Sequence, residues 1–138
     1  MMPVFVDTSA LIALGNQRDD FHQQATQLFK DLVVSKRRFV TTNAVILELA
    51  NAFSQAPLKP LAIRLIDLIK NSSAWTTVIA DASFMERGLE KFRKVQDKDW
   101  SLVDCISMIV ANDFGITEIC SNDHHFEQAG FSILMKSA

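Results

Sequence analysis

Apolar residues follow two rhythms along this chain. Short unbroken runs occur at Pro3-Val4-Phe5-Val6, Phe39-Val40-Thr41-Thr42, Trp75 to Ile79, Thr117 to Cys120 and Phe131 to Met135. They have the length and β-rich make-up of strands buried on both faces. Between them the apolar positions recur at helical spacing, as in Phe21, Ala25, Leu28, Phe29 and Leu32. Thr8 or Ser9 is expected to cap a short helix through Leu14, ended by Gly15-Asn16. Asp19 or Asp20 opens a second, running to about Ser35. Asn43 reads as the cap of a helix reaching about Ser54, and Pro60 suits the first turn of one through Lys70. Asp81 caps a helix from Ala82 to about Gln96. Ser101 caps the next, with Asp104 in its first turn, and Gly115 ends it. Asp123 starts a short helical turn closed by Gly130. Strand and helix alternate with few hairpin signals. That pattern predicts an α/β fold, a three-layer α/β/α sandwich around a mainly parallel sheet of about five strands. No repeat, linker or low-complexity stretch interrupts residues 1–138, which read as one domain.

Composition narrows the function classes. The chain has 138 residues, 49% hydrophobic and 22% charged, with a net charge of −2. Such a balance gives no overall attraction to nucleic acid or to a membrane surface, so any nucleic-acid contact must come from clustered cations. Arg87, Lys91, Lys94 and Lys98 follow at steps of four, three and four, which places them on one helix face. Two readings stay open: a track for a phosphate backbone, or a solvated face. Lys36-Arg37-Arg38 is a second such cluster. Cys105 and Cys120 lie in apolar contexts without close Cys or His partners and read as buried thiols. The start of the chain shows no basic segment of a secretory signal, and no apolar run reaches the ~18 residues of a membrane helix. A soluble, cytoplasmic protein is expected.

The acids are distributed unusually. Asp7 is the only charge from Met1 to Gln17, Glu48 the only one from Phe39 to Leu58, and Asp104 the only one from Trp100 to Asn112. Asp123 follows the fourth strand directly, after Ser121-Asn122. A lone carboxylate among apolar neighbours is costly to bury unless a cation meets it. Asp7, Asp104 and Asp123 each have an ordinary alternative as helix caps or first-turn acids. Glu48, inside an apolar helix, has none. On the predicted framework all four fall near one end of a parallel sheet, where clustered carboxylates repel unless a cation binds. Oxygen donors without His or Cys suit a hard ion, Mg²⁺ or Mn²⁺, and such an ion at a phosphodiester implies hydrolysis.

The runs Val-Asp-Thr-Ser-Ala-Leu, Thr-Asn-Ala-Val-Ile-Leu-Glu, Trp-Ser-Leu-Val-Asp-Cys and Ser-Asn-Asp-His-His-Phe resemble, in order and spacing, the successive motifs of a PIN domain. They are most similar to the VapC-like toxin nucleases of VapBC-type toxin–antitoxin pairs. The resemblance covers essentially the whole chain and implies a PIN-like fold and a Mg²⁺- or Mn²⁺-dependent endoribonuclease acting on RNA. By motif, Asp7, Glu48, Asp104 and Asp123 match the family's acids. Asp7 and Asp104 are expected to ligate metal directly, with Glu48 and Asp123 completing the shell. Thr8, Ser9 and Ser101 either orient water or the scissile phosphate, or serve as helix caps. Asp99 either joins the cluster or is a solvated turn residue. His22, His124 and His125 are not needed as ligands; His124 and His125 adjoin Asp123, so either one of them approaches the site or, as expected, both are exposed. The resemblance further implies a homodimer and a cognate antitoxin that presents Arg or Lys to the acidic cleft. The apolar helices Ala44 to Phe53 and Leu61 to Ile69 are the candidate groove. Two alternatives remain: a PIN nuclease with an RNA-processing or DNA-directed role, and a catalytically dead PIN-like binding module. A phospho-receiver or a haloacid-dehalogenase phosphatase would each need an acid that this chain lacks beside Asp7.

Overall fold

The computed structural model describes residues 1–136. Its elements alternate as the hydrophobic pattern predicts. In order they are β1 (Val4–Val6), α1 (Thr8–Gly15), α2 (His22–Val34), β2 (Phe39–Thr42), α3 (Asn43–Ala52) and α4 (Lys59–Asn71). Then come β3 (Trp75–Val78), α5 (Ala82–Lys94), α6 (Leu102–Asp113), β4 (Glu118–Cys120), α7 (His125–Gln128) and β5 (Ser132–Ile133). All strand pairings are parallel, in the order β3-β2-β1-β4-β5. Val4, Phe5 and Val6 of the central strand are each 0% exposed. Burial on both faces is why that strand is an unbroken apolar run and not an alternating one.

This strand order fixes where the helices lie. From β1 the chain steps outward through β2 to β3, then returns past β1 to β4 and β5. Parallel crossovers are right-handed, so the reversal of direction puts the helices before and after it on opposite faces. The contacts agree: α1 packs with α2, α3 and α4, whereas α5 packs with α6 and α6 with α7. The fold is the expected α/β/α sandwich. Its reversal falls between β1 and β4, so the crevice at the C-terminal ends of those two strands lies at the topological switch point.

Four local expectations are corrected. Asp7, not Thr8 or Ser9, is the N-cap of α1, because its carboxylate accepts the Ser9 N–H. Thr42, not Asn43, caps α3 by accepting the Val45 N–H. Asn43 instead accepts the Ala80 N–H at 2.7 Å and ties α3 to the chain leaving β3. Helix α5 stops at Lys94, so Lys98 lies in the following loop and does not share the face of Arg87, Lys91 and Lys94. Helix α2 begins at His22 with Phe21 in its cap position, and Asp19, expected with Asp20 to open it, instead accepts the Phe21 N–H in the preceding turn. Asp81 and Ser101 cap as read: Asp81 accepts from Phe84, and Ser101 and Asp104 form a reciprocal capping box. Gly115 at φ +68° ends the chain of α6. Gly88 lets α5 approach α6 closely, since a β-carbon there would come within 2.6 Å of Ile106. Cys105 and Cys120 are buried free thiols, as expected. Burial pushes the Cys120 thiol up to about 12. No helix among the described residues is long and apolar enough to cross a membrane.

Candidate active site

An open cleft of about 720 Å³ lies over the switch point, and Asp7, Glu48, Asp104 and Asp123 all line it. Each arrives on a different element. Asp7 leaves β1 and caps α1, Glu48 projects from α3, Asp104 sits in the first turn of α6, and Asp123 follows β4. Two of these elements belong to one helical layer and one to the other, so the cleft is where the two layers meet above the sheet.

Asp7 is 5% exposed. Its Oδ2 accepts from the hydroxyls of Ser9 (3.0 Å) and Ser121 (2.9 Å). Those hydroxyls are themselves aimed. The Asn122 N–H donates to Ser9 Oγ and the Asp123 N–H to Ser121 Oγ, which leaves each hydroxyl hydrogen for the carboxylate. Burial raises the Asp7 pKa to about 6, and the negative charge of Asp104 adds to the rise. The hydrogen bonds from Ser121, Ser9 and the Thr8 amide oppose it. Two carboxylates that feel one another in this way need a positive charge nearby to be ionised together.

Each of the other acids is also held. Thr8 Oγ1 donates to Glu48 Oε1 at 2.6 Å. Asp104 Oδ2 accepts the Ser101 N–H, while Ser101 Oγ accepts the Asp104 N–H. Asp123 Oδ1 accepts the His125 N–H at 2.9 Å. The ring of His125 then joins two of them, with Nδ1 3.2 Å from Asp104 Oδ2 and 3.0 Å from Asp123 Oδ1. With carboxylates ahead of it, the hydrogen belongs on Nδ1.

These bonds share a pattern. The side-chain hydrogen bonds to each acid fall on one oxygen only: Oδ2 of Asp7, Oε1 of Glu48, Oδ2 of Asp104 and Oδ1 of Asp123. Among the described residues the second oxygen of each is left without a side-chain donor. Fixed carboxylates that line an open cleft and each keep a spare oxygen are the donor set a hard divalent cation takes. The residues present fit such an ion.

Several sequence expectations change here. His125 is not exposed: its side chain is 18% exposed and couples Asp104 to Asp123. His124 is 71% exposed, as expected, although its ring nitrogen lies within 4.8 Å of the donor atoms of Asp123 and His125. Thr8 and Ser9 are neither caps nor free hydroxyls, since both donate to acids. Ser101 is a cap. Asp99 lines the cleft wall. Ser121 enters the sequence only as a neighbour of Asp123, with no sign of its bond to Asp7, and the Asp-x-His spacing of Asp123 and His125 is the local signal for their pairing.

The basic clusters fare differently. Arg87 forms a two-pronged pair with Asp113 at 2.7 and 2.9 Å, and Lys94 pairs with Glu90. Lys91 lies 5.5 Å from the ring centroid of Trp100, and Lys98 pairs with Asp97. Arg37 and Arg38 precede β2 and so lie at the opposite end of the parallel strands from the acids. There Arg37 binds Glu118 and Arg38 donates to the Ser73 carbonyl. The apolar pair expected to form a groove is α3 packed on α4, with Leu47, Ile63 and Leu68 exposed on it.

Comparison with known proteins places this architecture. Residues 4–132 match the model of the PIN domain. The fold is similar to the crystal structure of Mycobacterium tuberculosis VapC20, described as a sarcin-ricin loop cleaving toxin. That match has a TM-score of 0.81 at 29% identity, over 93% of this chain and 95% of that one. It is also similar in fold to FitAcB from Neisseria gonorrhoeae, with a TM-score of 0.65 at 12% identity, over 94% of this chain and 95% of that one. No curated protein sequence matches. The match to the family model spans nearly the whole sheet, from the first residue of β1 to the first of β5, and the chain belongs to the PIN domain family.

Proposed function

We propose that this protein is a Mg²⁺- or Mn²⁺-dependent endoribonuclease, the toxin of a toxin–antitoxin pair, and that Asp7, Glu48, Asp104 and Asp123 form its active site. The observation that carries the reading is the convergence of these acids on one cleft, each pinned through one oxygen. The likeness to a sarcin-ricin loop cleaving toxin supports RNA as the substrate class.

Asp7 and Asp104 would hold the cation directly, with Glu48 and Asp123 completing its surroundings. When bound, a divalent ion supplies an ionised water at neutral pH and offsets the charge that builds on the phosphoryl oxygens. The chain's own residues do the rest. Ser9 and Ser121 hold the Asp7 carboxylate in one rotamer, Thr8 fixes Glu48, and His125 sets the relation between Asp104 and Asp123. Ile12 and Ala52 give the cleft an apolar stretch of wall beside the acids.

An acidic cleft of this kind also suits restraint by a cognate antitoxin whose Arg or Lys takes the cation's place. A homodimer and a cytoplasmic location complete the proposal. The test is cleavage of RNA by the purified protein in Mn²⁺, expected to vanish in EDTA and in Asp104→Asn. Cleavage undiminished in both would overturn it.

A further inference from the structure

Beside the acidic cleft is a second recess of about 510 Å³, formed by the end of α5 and the loop that leads to α6. Phe92, Trp100, Arg93 and Lys98 line it, and Asp99 lines both recesses, so the two share a rim. Trp100 directly precedes Ser101, the cap of the helix that carries Asp104. We infer that this recess is a stacking subsite for an unpaired base of the RNA strand next to the scissile phosphate. The inference rests on the nuclease reading above.

Two aromatic rings and two cations at the edge of an acidic cleft answer a particular difficulty. A polyanion approaching four carboxylates is repelled, and Arg87 farther back on α5 is held in a two-pronged pair by Asp113. Lys98 is held only by the exposed Asp97, a surface pair of little net strength that a phosphate can displace. Stacking supplies attraction that does not depend on charge, and every base has a face to offer.

The platform is built in advance. The Trp100 indole N–H donates to Gln128 at 2.9 Å, and Lys91 lies 5.5 Å from the ring centroid. The ring therefore loses little freedom when a base arrives. Phe92 is 47% exposed, far more than the packing of α5 requires. Paired bases are already stacked, so the subsite selects loops and single strands over duplex.

The chain has two tryptophans, and Trp75 stacks on Phe39 in the core, so Trp75→Phe leaves Trp100 as the sole reporter. The probe is a short mixed-sequence single-stranded oligoribonucleotide, titrated into Trp75→Phe protein carrying Asp104→Asn to stop turnover. Binding is expected to quench Trp100 emission, and an abasic oligomer of equal length is not. In the same Asp104→Asn background, by anisotropy of a labelled oligomer, Phe92→Ala and Trp100→Ala should each weaken binding about ten-fold. Trp100→Phe should retain most of it, and duplex RNA should bind more weakly. Should Trp100→Ala fold poorly, the exposed Phe92→Ala carries the test alone. Unchanged emission, equal binding of the abasic oligomer, no binding at all, or Phe92→Ala binding like its parent would each overturn the subsite. Cleavage by the wild-type protein is scored separately. Cleavage alongside unaltered affinity in Phe92→Ala removes the subsite and keeps the nuclease, whereas base-dependent quenching without cleavage does the reverse.

Discussion

The two ends of the parallel sheet treat charge in opposite ways. At the end where strands begin, Arg37 meets Glu118 at 2.7 Å and also donates to the Met2 carbonyl, while Arg38 meets the Ser73 carbonyl. Cation and anion are matched there, and the contact ties β1, β2 and β4 together. At the end where strands finish, four acids gather, and among the described residues the side chains able to carry positive charge against them are His125 and, 3.9 Å from Asp123, the exposed His124. One end is arranged for stability. The other stores repulsion that a ligand would relieve, as sites shaped for a cation do.

Four measurements press on that contrast, beginning with the largest effect. Asp104→Asn should lower RNA cleavage by at least about a hundred-fold, since even residues that merely support metal ligands cost ten- to a hundred-fold. Arg37→Met should leave the rate per folded molecule unchanged. If both substitutions cut that rate equally, the ends are not functionally distinct.

Next, the acid end should cost stability in the absence of cation. Asp7 has its pKa raised from 3.8 to about 6 in the folded chain, so the fold holds its proton more tightly than the unfolded chain does. That contribution is fully present below about pH 4 and is lost as pH rises through about 6. It amounts to roughly 3 kcal/mol by linkage. In urea unfolding with EDTA present, Asp7→Asn should lack this pH slope and be the more stable protein at pH 8. Mn²⁺ should raise the stability of the wild type and not of the variant.

His125→Ala should weaken Mn²⁺ binding by about ten- to a hundred-fold, read by calorimetry. His125→Asn, which keeps a donor at a similar reach, should recover part of it. A variant that binds Mn²⁺ like the wild type would show that the imidazole positions nothing.

The smallest effect belongs to the matched end. Arg37→Met should destabilise by about 1–2 kcal/mol, the cost of a half-buried ion pair and a backbone bond. This loss should appear equally with and without Mn²⁺.

The same contrast explains which features were visible in the amino-acid sequence. Asp7, Glu48 and Asp104 stood out because isolation among apolar residues is a local property, readable without knowing what lies nearby. The strands and their parallel arrangement were equally legible, from unbroken apolar runs separated by helical spacing. His125 was not, because its role depends on α6 and α7 bringing Asp104 within 3.2 Å of it, across 21 residues of chain. The Ser121 hydroxyl acquires its purpose only through Asp7, 114 residues earlier. Lys98 misled for a subtler reason. Its spacing continued a helical stripe, but the helix stops at Lys94 and Asp97-Lys98-Asp99 turns away from it. Periodicity describes a face only as far as the helix lasts. At Asn43 the choice of cap was decided by tertiary demand, since that side chain holds the Ala80 amide and Thr42 takes the capping role.

The hydrogen bond from Ser121 to Asp7 also bears on the protein during its own synthesis. A chain growing from its N-terminus makes Asp7 first, then Glu48, then Asp104, and has no cleft with any of them. The cleft closes only once β4 has slotted beside β1 and delivered Ser121, Asp123 and His125. Pairing at such separation comes late, because the loop must be closed before the contact rewards it. A ribosome must therefore pass Asp123, near the end of the stretch 4–132 that matches the family model, before the nascent chain possesses the full set of acids.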